Sequence, residues 1–333
     1  MVMKFLRTWS QYFTEHLAPV VETIPEYDLP LHIDIPSNRE RVAYMRSKLT
    51  PILFHTFPLE NIPYSIFSPF PVNRVDVYLT GQQVLVLYQR LSLLFRDFLA
   101  SRALSSEDFK EVVKLSRQDV LSAFIVTAIS VSRGEPITQV TNVVNCRGFN
   151  PAIVPEDAAG NALLYALTDI VQSPGLDRES LGGTIISYAH AIRLSLQAAR
   201  EPQYVHDFLA LAGQEWLAAA RANRGHYIAE TPGHVVINSY YRIDWASVHF
   251  GSPGKVCWQH PDHIMTDNYI MMFPSNPTRG NHGVWRTDDG ACEMTFNVKK
   301  GMEEKLEVAL ALLWDVVVGS PSGPAFKTSQ VAF

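Results

Sequence analysis

Few residues in this chain have types and spacings that could do chemistry. Cys257, His260 and His263 follow one another at intervals of three, with Asp262 and Asp267 close by. Thiolate and imidazole are the ligands zinc prefers. No second ligand pair of matching spacing follows, so we read the stretch as a polar connecting loop and assign no metal. The same stretch holds His263-x-x-x-Asp267, an imidazole four residues before a carboxylate. His16, His190, His206 and His226 fall in or near helical patterns and read as surface or satisfied buried histidines.

Other catalytic patterns fail on inspection. Gly319-Ser320-Pro321-Ser322-Gly323 places proline where a nucleophile elbow needs serine. Gly254-Lys255 is followed by Val256, and the first glycine of a P-loop would fall on His249. Neither His-Glu-x-x-His nor Gly-x-Gly-x-x-Gly occurs. Hydrolase, nucleotidase, zinc-protease and dinucleotide-dehydrogenase readings lose their support.

The elements that must position any site follow from hydrophobic period. Phe5, Leu6, Trp9, Tyr12, Phe13 and Leu17 predict an amphipathic first helix with those residues on its buried face. Nine prolines between Pro19 and Pro71 argue against long helices and central strands there. Ile52–Pro71 reads as an extended linker over the surface. Val75–Leu79 predicts a half-buried strand and Val84–Leu99 a helix. Ser116 with Asp119 reads as a capped N-terminus. The helix it starts would bury Leu121, Phe124, Ile125, Ala128 and Ile129. A strand over Val140–Val144 and helices over Ser180–Arg200 and Gln203–Asn223 follow. Strands at His234–Ile237, Tyr269–Phe273 and Glu293–Val298 precede a last helix from Met302 to Val318. The order lacks regular βα alternation, which predicts a layered α/β or α+β architecture rather than a doubly wound sheet.

Composition bounds the rest. With 333 residues, 47% of them apolar and 18% charged, the chain can bury a large core. The net charge of −5 supplies no counterion-release term, so no nucleic-acid partner is expected. Three widely separated cysteines, Cys146, Cys257 and Cys292, argue against a disulfide framework and fit a reducing compartment. No stretch has the length and apolarity of a membrane span, so the expectation is a cytoplasmic protein without a membrane partner.

Four segments together resemble one family. They are Ser116-Arg117-Gln118-Asp119-Val120-Leu121-Ser122-Ala123-Phe124; Val143-Val144-Asn145-Cys146-Arg147-Gly148 with Pro151 and Ala159-Gly160-Asn161-Ala162; Ile237-Asn238-Ser239-Tyr240-Tyr241-Arg242-Ile243-Asp244 with His249-Phe250-Gly251-Ser252-Pro253-Gly254-Lys255; and the opening Lys4-Phe5-Leu6-Arg7-Thr8-Trp9. In order and separation they resemble the BAHD-type acyl-CoA-dependent acyltransferases, particularly their fungal relatives in secondary metabolism. The related condensation domains of peptide synthetases share the fold, but the separate Phe-Gly loop favours the CoA-dependent branch.

The resemblance implies two chloramphenicol-acetyltransferase-like domains, each a mixed sheet packed with helices, with a channel between them. It implies acyl-CoA as co-substrate, no other cofactor, a small-molecule hydroxyl or amine acceptor, and a monomer at full length. The residues it singles out are Arg147, Gly160, Asn161, His249, Phe250, Gly251 and Gly254, in structural and coenzyme-side roles. His249 stands where the family's Asp-Phe-Gly-Trp-Gly loop has Asp, and Ser252-Pro253 replaces the Trp. Arg147 would be the partner of that Asp. A neutral imidazole offers one acceptor and cannot match a guanidinium fork. Gly160, Gly251 and Gly254 are expected to permit positive φ or close backbone approach.

The family's general base lies in His-x-x-x-Asp-Gly, immediately before the helix that here begins at Met3. Only two residues precede Met3, and His263-x-x-x-Asp267 lacks the following Gly. No catalytic residue is therefore assigned. The expectation is a chain shortened at its N-terminus and inactive as it stands, or else a non-catalytic acyl-CoA-binding or partner-binding relative. Its organisation would be a remnant of the first domain over 1–50, a crossover over 51–74 and a second domain over 75–333. Residues about 273–285 would return to the first domain. Missing strands would leave exposed edges, so poor solubility of residues 1–333 is expected.

Overall fold

In the computed structural model, the described residues are 2–15, 38–61, 71–101, 114–156, 158, 162–170, 175–253, 255, 267, 269–280, 283–320 and 323–330. They form seven α-helices and eleven strands: α1 (Val2–Glu15), α2 (Arg39–Leu49), β1 (His55–Pro58), β2 (Val72–Leu79), α3 (Gly81–Ser101), α4 (Arg117–Arg133), β3 (Gln139–Asn145), β4 (Leu163–Asp169), α5 (Leu181–Ala198), α6 (Pro202–Arg221), β5 (Arg224–Tyr227), β6 (His234–Ser239), β7 (Tyr269–Pro274), β8 (Thr278–Arg279), β9 (Trp285–Arg286), β10 (Cys292–Lys299), α7 (Glu303–Val318) and β11 (Ala325–Gln330).

Seven strands make one mixed sheet in the order β11-β2-β10-β7-β6-β3-β4. The pairs β3–β6 and β6–β7 are parallel, and the other pairs are antiparallel. One face is apolar: Val75, Val77 and Leu79 of β2, Met294 and Phe296 of β10, Ile270 and Met272 of β7, and Val235 and Ile237 of β6 join a single core cluster with residues of α3, α4, α5 and α7. Period two sends the intervening residues to the other face. There Val236, Tyr269, Met271 and Phe273 form a second, smaller cluster.

Ser116 caps α4 as its sequence predicts: its hydroxyl accepts from the Asp119 N–H, and the Asp119 carboxylate accepts from the Ser116 N–H at 2.6 Å. The helix is more deeply placed than its pattern suggests. Every residue from Asp119 to Ser130 is buried, because α5 and α7 pack on α4. A helix apolar only in part is thus buried all round, and its hydroxyls turn inward: Thr127 and Ser130 donate to the carbonyls four residues back, at 2.7 and 3.0 Å. Asp119 is also paired with Arg193 of α5, a charge pair inside the core.

Two expectations change. Ile52, Leu53 and Phe54 enter the core instead of crossing the surface, and β1 pairs antiparallel with β5. Three consecutive apolar side chains gain more from burial than the prolines around them lose in helix or strand freedom. The first helix also sits differently. Trp9, Tyr12 and Phe13 are 52%, 50% and 58% exposed, while Ser10 is 2% exposed. The aromatic stripe that the period marks as buried is half open, and the serine within it is the deeply buried residue. The short helix that Ser105-Ser106 with Glu107 and Asp108 would start lies outside the described residues.

Candidate functional site

The parallel pairing of β3, β6 and β7 brings their C-terminal ends to one edge of the sheet. Arg147 follows β3 there, and the stretch from Tyr240 to Gly251 follows β6. In open α/β sheets, ligands bind outside the carboxyl ends of parallel strands.

Aromatic packing fixes the start of this stretch. The Tyr240 ring stacks on Phe273 at 5.1 Å, and its N–H donates to the Met272 carbonyl at 2.8 Å. Asn238 Nδ2 donates to the hydroxyls of Tyr240 and Tyr269, at 3.1 and 3.0 Å. Tyr241 donates to the Gly290 carbonyl at 2.6 Å.

The stretch ends in a tight turn at His249-Phe250-Gly251-Ser252. Phe250 has φ +45° and Gly251 φ +79°. The Ser252 N–H donates to the His249 carbonyl at 2.7 Å. Two consecutive positive φ values closed by this bond are the signature of a type I′ turn, which glycine enters freely and phenylalanine does not. The cost at Phe250 is offset by α1. Ser10 Oγ accepts from the N–H groups of His249 and Phe250, at 3.1 and 2.8 Å. Trp9 and Phe13 meet the Phe250 ring edge-to-face, at 5.3 and 5.9 Å. Arg7 donates to Ser247 Oγ at 2.6 Å and pairs with Asp244 at 3.1 Å.

Beside the turn is a cavity of about 180 Å³, lined by Asp244, Trp245, His249, Ser275, Thr287 and Asp288 among others. Asp288 is committed to structure. Its carboxylate accepts from the Tyr78 hydroxyl at 2.9 Å and from the Gly81 N–H at 3.0 Å, which starts α3. Burial, with Asp288 alongside, pushes the Tyr78 phenol up to about 12. Gly81 is required by close approach: a Cβ there would lie 2.0 Å from the Asp289 carbonyl oxygen.

His249 is the one histidine at this edge among the described residues. Its Nδ1 accepts from the Gly251 N–H at 3.2 Å. In the neutral ring the proton is then on Nε2, so the side chain offers a donor and not a base. Arg147 does not meet it. The guanidinium donates to the Ala158 carbonyl at 2.8 Å and to Asn145 Oδ1 at 2.9 Å. Gly160, Asn161 and Gly254 lie outside the described residues, as do Cys257, His260 and His263. Asp267 is described and is buried against Arg133 at 2.6 Å.

The remaining histidines lie elsewhere. His190 of α5 packs on Phe95 and Phe98, at 5.4 and 6.1 Å. His226 of β5 packs on Phe54, and burial lowers its imidazole below the ordinary value. His234 of β6 is buried, bonds Thr141 at 2.9 Å, and is pushed down to about 4 by burial and then by Lys48. Among the described residues no group of three or more His, Cys, Asp or Glu is placed to hold a metal, and no helix is long and apolar enough to cross a membrane.

Ser10 escapes a motif search, and Arg7 and Asp244 lie within the resembling segments without being singled out there. One signal could have found Ser10: it is a polar residue within an aromatic stripe, four residues after Leu6 and three before Phe13. A polar side chain there must find a partner once it is buried.

No family model matches the sequence, and neither does any curated protein. Solved structures match its fold. F. sporotrichioides TRI101 complexed with coenzyme A and T-2 superposes with a TM-score of 0.51 at 13% identity, over 90% of this chain and 57% of that one. Vinorine synthase gives 0.49 at 18% identity, over 96% and 60%. F. graminearum TRI101 complexed with coenzyme A and T-2 mycotoxin gives 0.48 at 14%, over 90% and 56%. The chain has the chloramphenicol-acetyltransferase-like fold of the BAHD-type proteins. It spans about three fifths of the length of these structures. At the edge that carries Arg147 and the 249–252 turn, aromatic stacking holds the chain leaving β6, and α1 holds the turn.

Proposed function

We propose that this fold serves acyl transfer here, from acyl-CoA to the hydroxyl or amine of a small-molecule acceptor, and that the corner around His249-Phe250-Gly251 belongs to the coenzyme side. The observation that carries the proposal is the fold shared with a TRI101 structure that holds coenzyme A and T-2 together. In such a reaction a base takes the acceptor's proton. The oxygen or nitrogen attacks the thioester carbonyl, the carbon–sulfur bond breaks, and the coenzyme thiol leaves with a proton.

One finding favours a second reading, in which the chain binds acyl-CoA without turning it over. None of the described residues brings a free imidazole to the corner, since the Nδ1 of His249 is occupied by its own turn. We assign residues 75–333 to the coenzyme-holding domain and α1 to the part that faces its neighbour.

Calorimetry with acetyl-CoA, followed by detection of free thiol in the presence of T-2 mycotoxin and of simple alcohols and amines, separates the readings. Heat with thiol release supports transfer, and heat without release supports the binding reading. No heat at millimolar acetyl-CoA would remove both.

A further inference from the structure

The cavity of about 180 Å³ beside the 249–252 turn has two walls that are held in different ways. One wall is Pro274, Ser275, Thr287 and Asp288, and the sheet fixes it. Pro274 pairs with Cys292 of β10, the Ser275 N–H donates to the Ala291 carbonyl at 3.2 Å, and Asp288 accepts from Tyr78 of β2 at 2.9 Å. The other wall is Asp244, Trp245, Val248 and His249. Much of its backbone bonding closes on the stretch itself: the N–H groups of Trp245 and Val248 donate to the carbonyls of Ile243 and Trp245, both at 2.9 Å. Helix α1 ties this second wall down at both ends.

Arg7 holds the first end, on Asp244 and Ser247, and Ser10 holds the last, on the N–H groups of His249 and Phe250. None of the described residues of α1 lines the cavity itself. The helix also decides the charge of the wall. Asp244, Asp288 and Asp289 all line the cavity. Asp288 is satisfied by Tyr78 and the Gly81 N–H, and Asp244 by Arg7. If α1 lets go, Asp244 loses its cation and the wall loses its anchor. Both changes disfavour an anionic ligand such as acyl-CoA. The volume lies below the ~300–1,000 Å³ usual for whole small molecules, so what enters is one end of a larger ligand.

We infer that α1 is a strap that sets the width of this cavity, with Ser10 and Arg7 as positioning residues for coenzyme binding. The inference rests on the coenzyme-side reading of the corner. Docking of the strap and occupancy of the cavity are coupled, and linkage makes the coupling reciprocal. Bound coenzyme steadies α1, and loosening α1 weakens the coenzyme's hold. A docked fraction of about one tenth weakens apparent binding about tenfold.

The test is calorimetry and hydrogen exchange by mass spectrometry on the full chain with acetyl-CoA. In the wild type, saturating acetyl-CoA should slow exchange about threefold or more in peptides covering 4–14, whose residues do not line the cavity. Ser10→Ala should weaken acetyl-CoA binding about tenfold. Arg7→Glu sets a like charge against Asp244 and should weaken binding by a similar factor, whereas Arg7→Lys keeps the cation and should restore most of it. Tyr12→Gln, at an exposed position of the same helix, should bind as the wild type does. Affinity unchanged in both Ser10→Ala and Arg7→Glu, or acetyl-CoA bound without slower exchange in 4–14, would overturn the strap and leave the coenzyme reading in place. No binding to the wild type would overturn the coenzyme reading and the strap with it.

Discussion

Replacing Ser10 with alanine tests whether α1 shapes the 249–252 turn or merely rests on it. The single hydroxyl of Ser10 accepts from two consecutive backbone N–H groups, at 3.1 and 2.8 Å, in a position 2% exposed. If α1 stayed docked, Ser10→Ala would leave both groups buried without an acceptor, at about 1–3 kcal/mol each. What else holds the helix is modest. The two edge-to-face contacts of Trp9 and Phe13 with Phe250 are worth about 0.5–1.5 kcal/mol each. The exposed Arg7–Asp244 pair adds about 0–1 kcal/mol. Penalty and remaining attraction are of similar size, so the variant relieves itself by releasing α1.

Phe250 sharpens the effect, since its positive φ is costly for a residue with a side chain. Hydrogen exchange by mass spectrometry reads this directly. Peptides covering 4–14 and 245–253 should both lose at least tenfold protection, which corresponds to about 1.4 kcal/mol. The urea midpoint of the main core should not move, because neither segment belongs to its cluster. Unchanged exchange at 249–250 in Ser10→Ala would refute the clasp. A global midpoint that fell in step with α1 would refute its independence from the core.

Two other outcomes follow from buried polar groups. His234 is held near 4 in the folded state against about 6.5 when unfolded, so the unfolded chain binds the proton first as pH falls; stability is full above 6.5, drops by about 2 kcal/mol by pH 5 and by about 3 kcal/mol near pH 4. His234→Gln should lack that share of the pH dependence in urea titrations at pH 7 and pH 5, and parallel slopes for both proteins would count against the burial argument. Asn142 of β3 is buried between Ala166 and Ile237 with neither amide atom hydrogen-bonded among the described residues, so Asn142→Val should raise the unfolding free energy by about 1–2 kcal/mol; a decrease would mean that internal water satisfies the amide.

What the sequence could show depended on how local each cause is. The helices over 181–198, 202–221 and 303–318 and the strands at 234–239 and 269–274 carry their period within a single window, and they appear at nearly the expected bounds. The Ser116–Asp119 box is equally local. Strands β1, β5 and β11 do not stand out in sequence: their pairing partners lie far along the chain, and their own composition is mixed. The misreading of α1 has the same root. Period marks Trp9, Tyr12 and Phe13 as one face, but whether a face is covered depends on what stands opposite it. At the turn, the positive φ of Gly251 was expected through the resemblance, whereas the contacts of Ser10 and Arg7 reach across some 240 positions of sequence.

The turn also explains how the chain tolerates histidine at position 249. Read from sequence alone, the change leaves Arg147 without a carboxylate partner and the loop without an anchor. Backbone donors must be accounted for one by one, and here four in succession are. The N–H groups of His249 and Phe250 go to Ser10, that of Gly251 to the His249 ring, and that of Ser252 to the His249 carbonyl. Arg147 meanwhile spends its donors on Ala158 and Asn145, which tie the end of β3 to the segment that follows it. Among the described residues the loop and the arginine are therefore two local anchors. Loop shape answers to α1, and the strand end answers to Arg147. A change at Arg147 should disturb the approach to β4 and leave the turn intact, whereas a change at Ser10 should do the reverse.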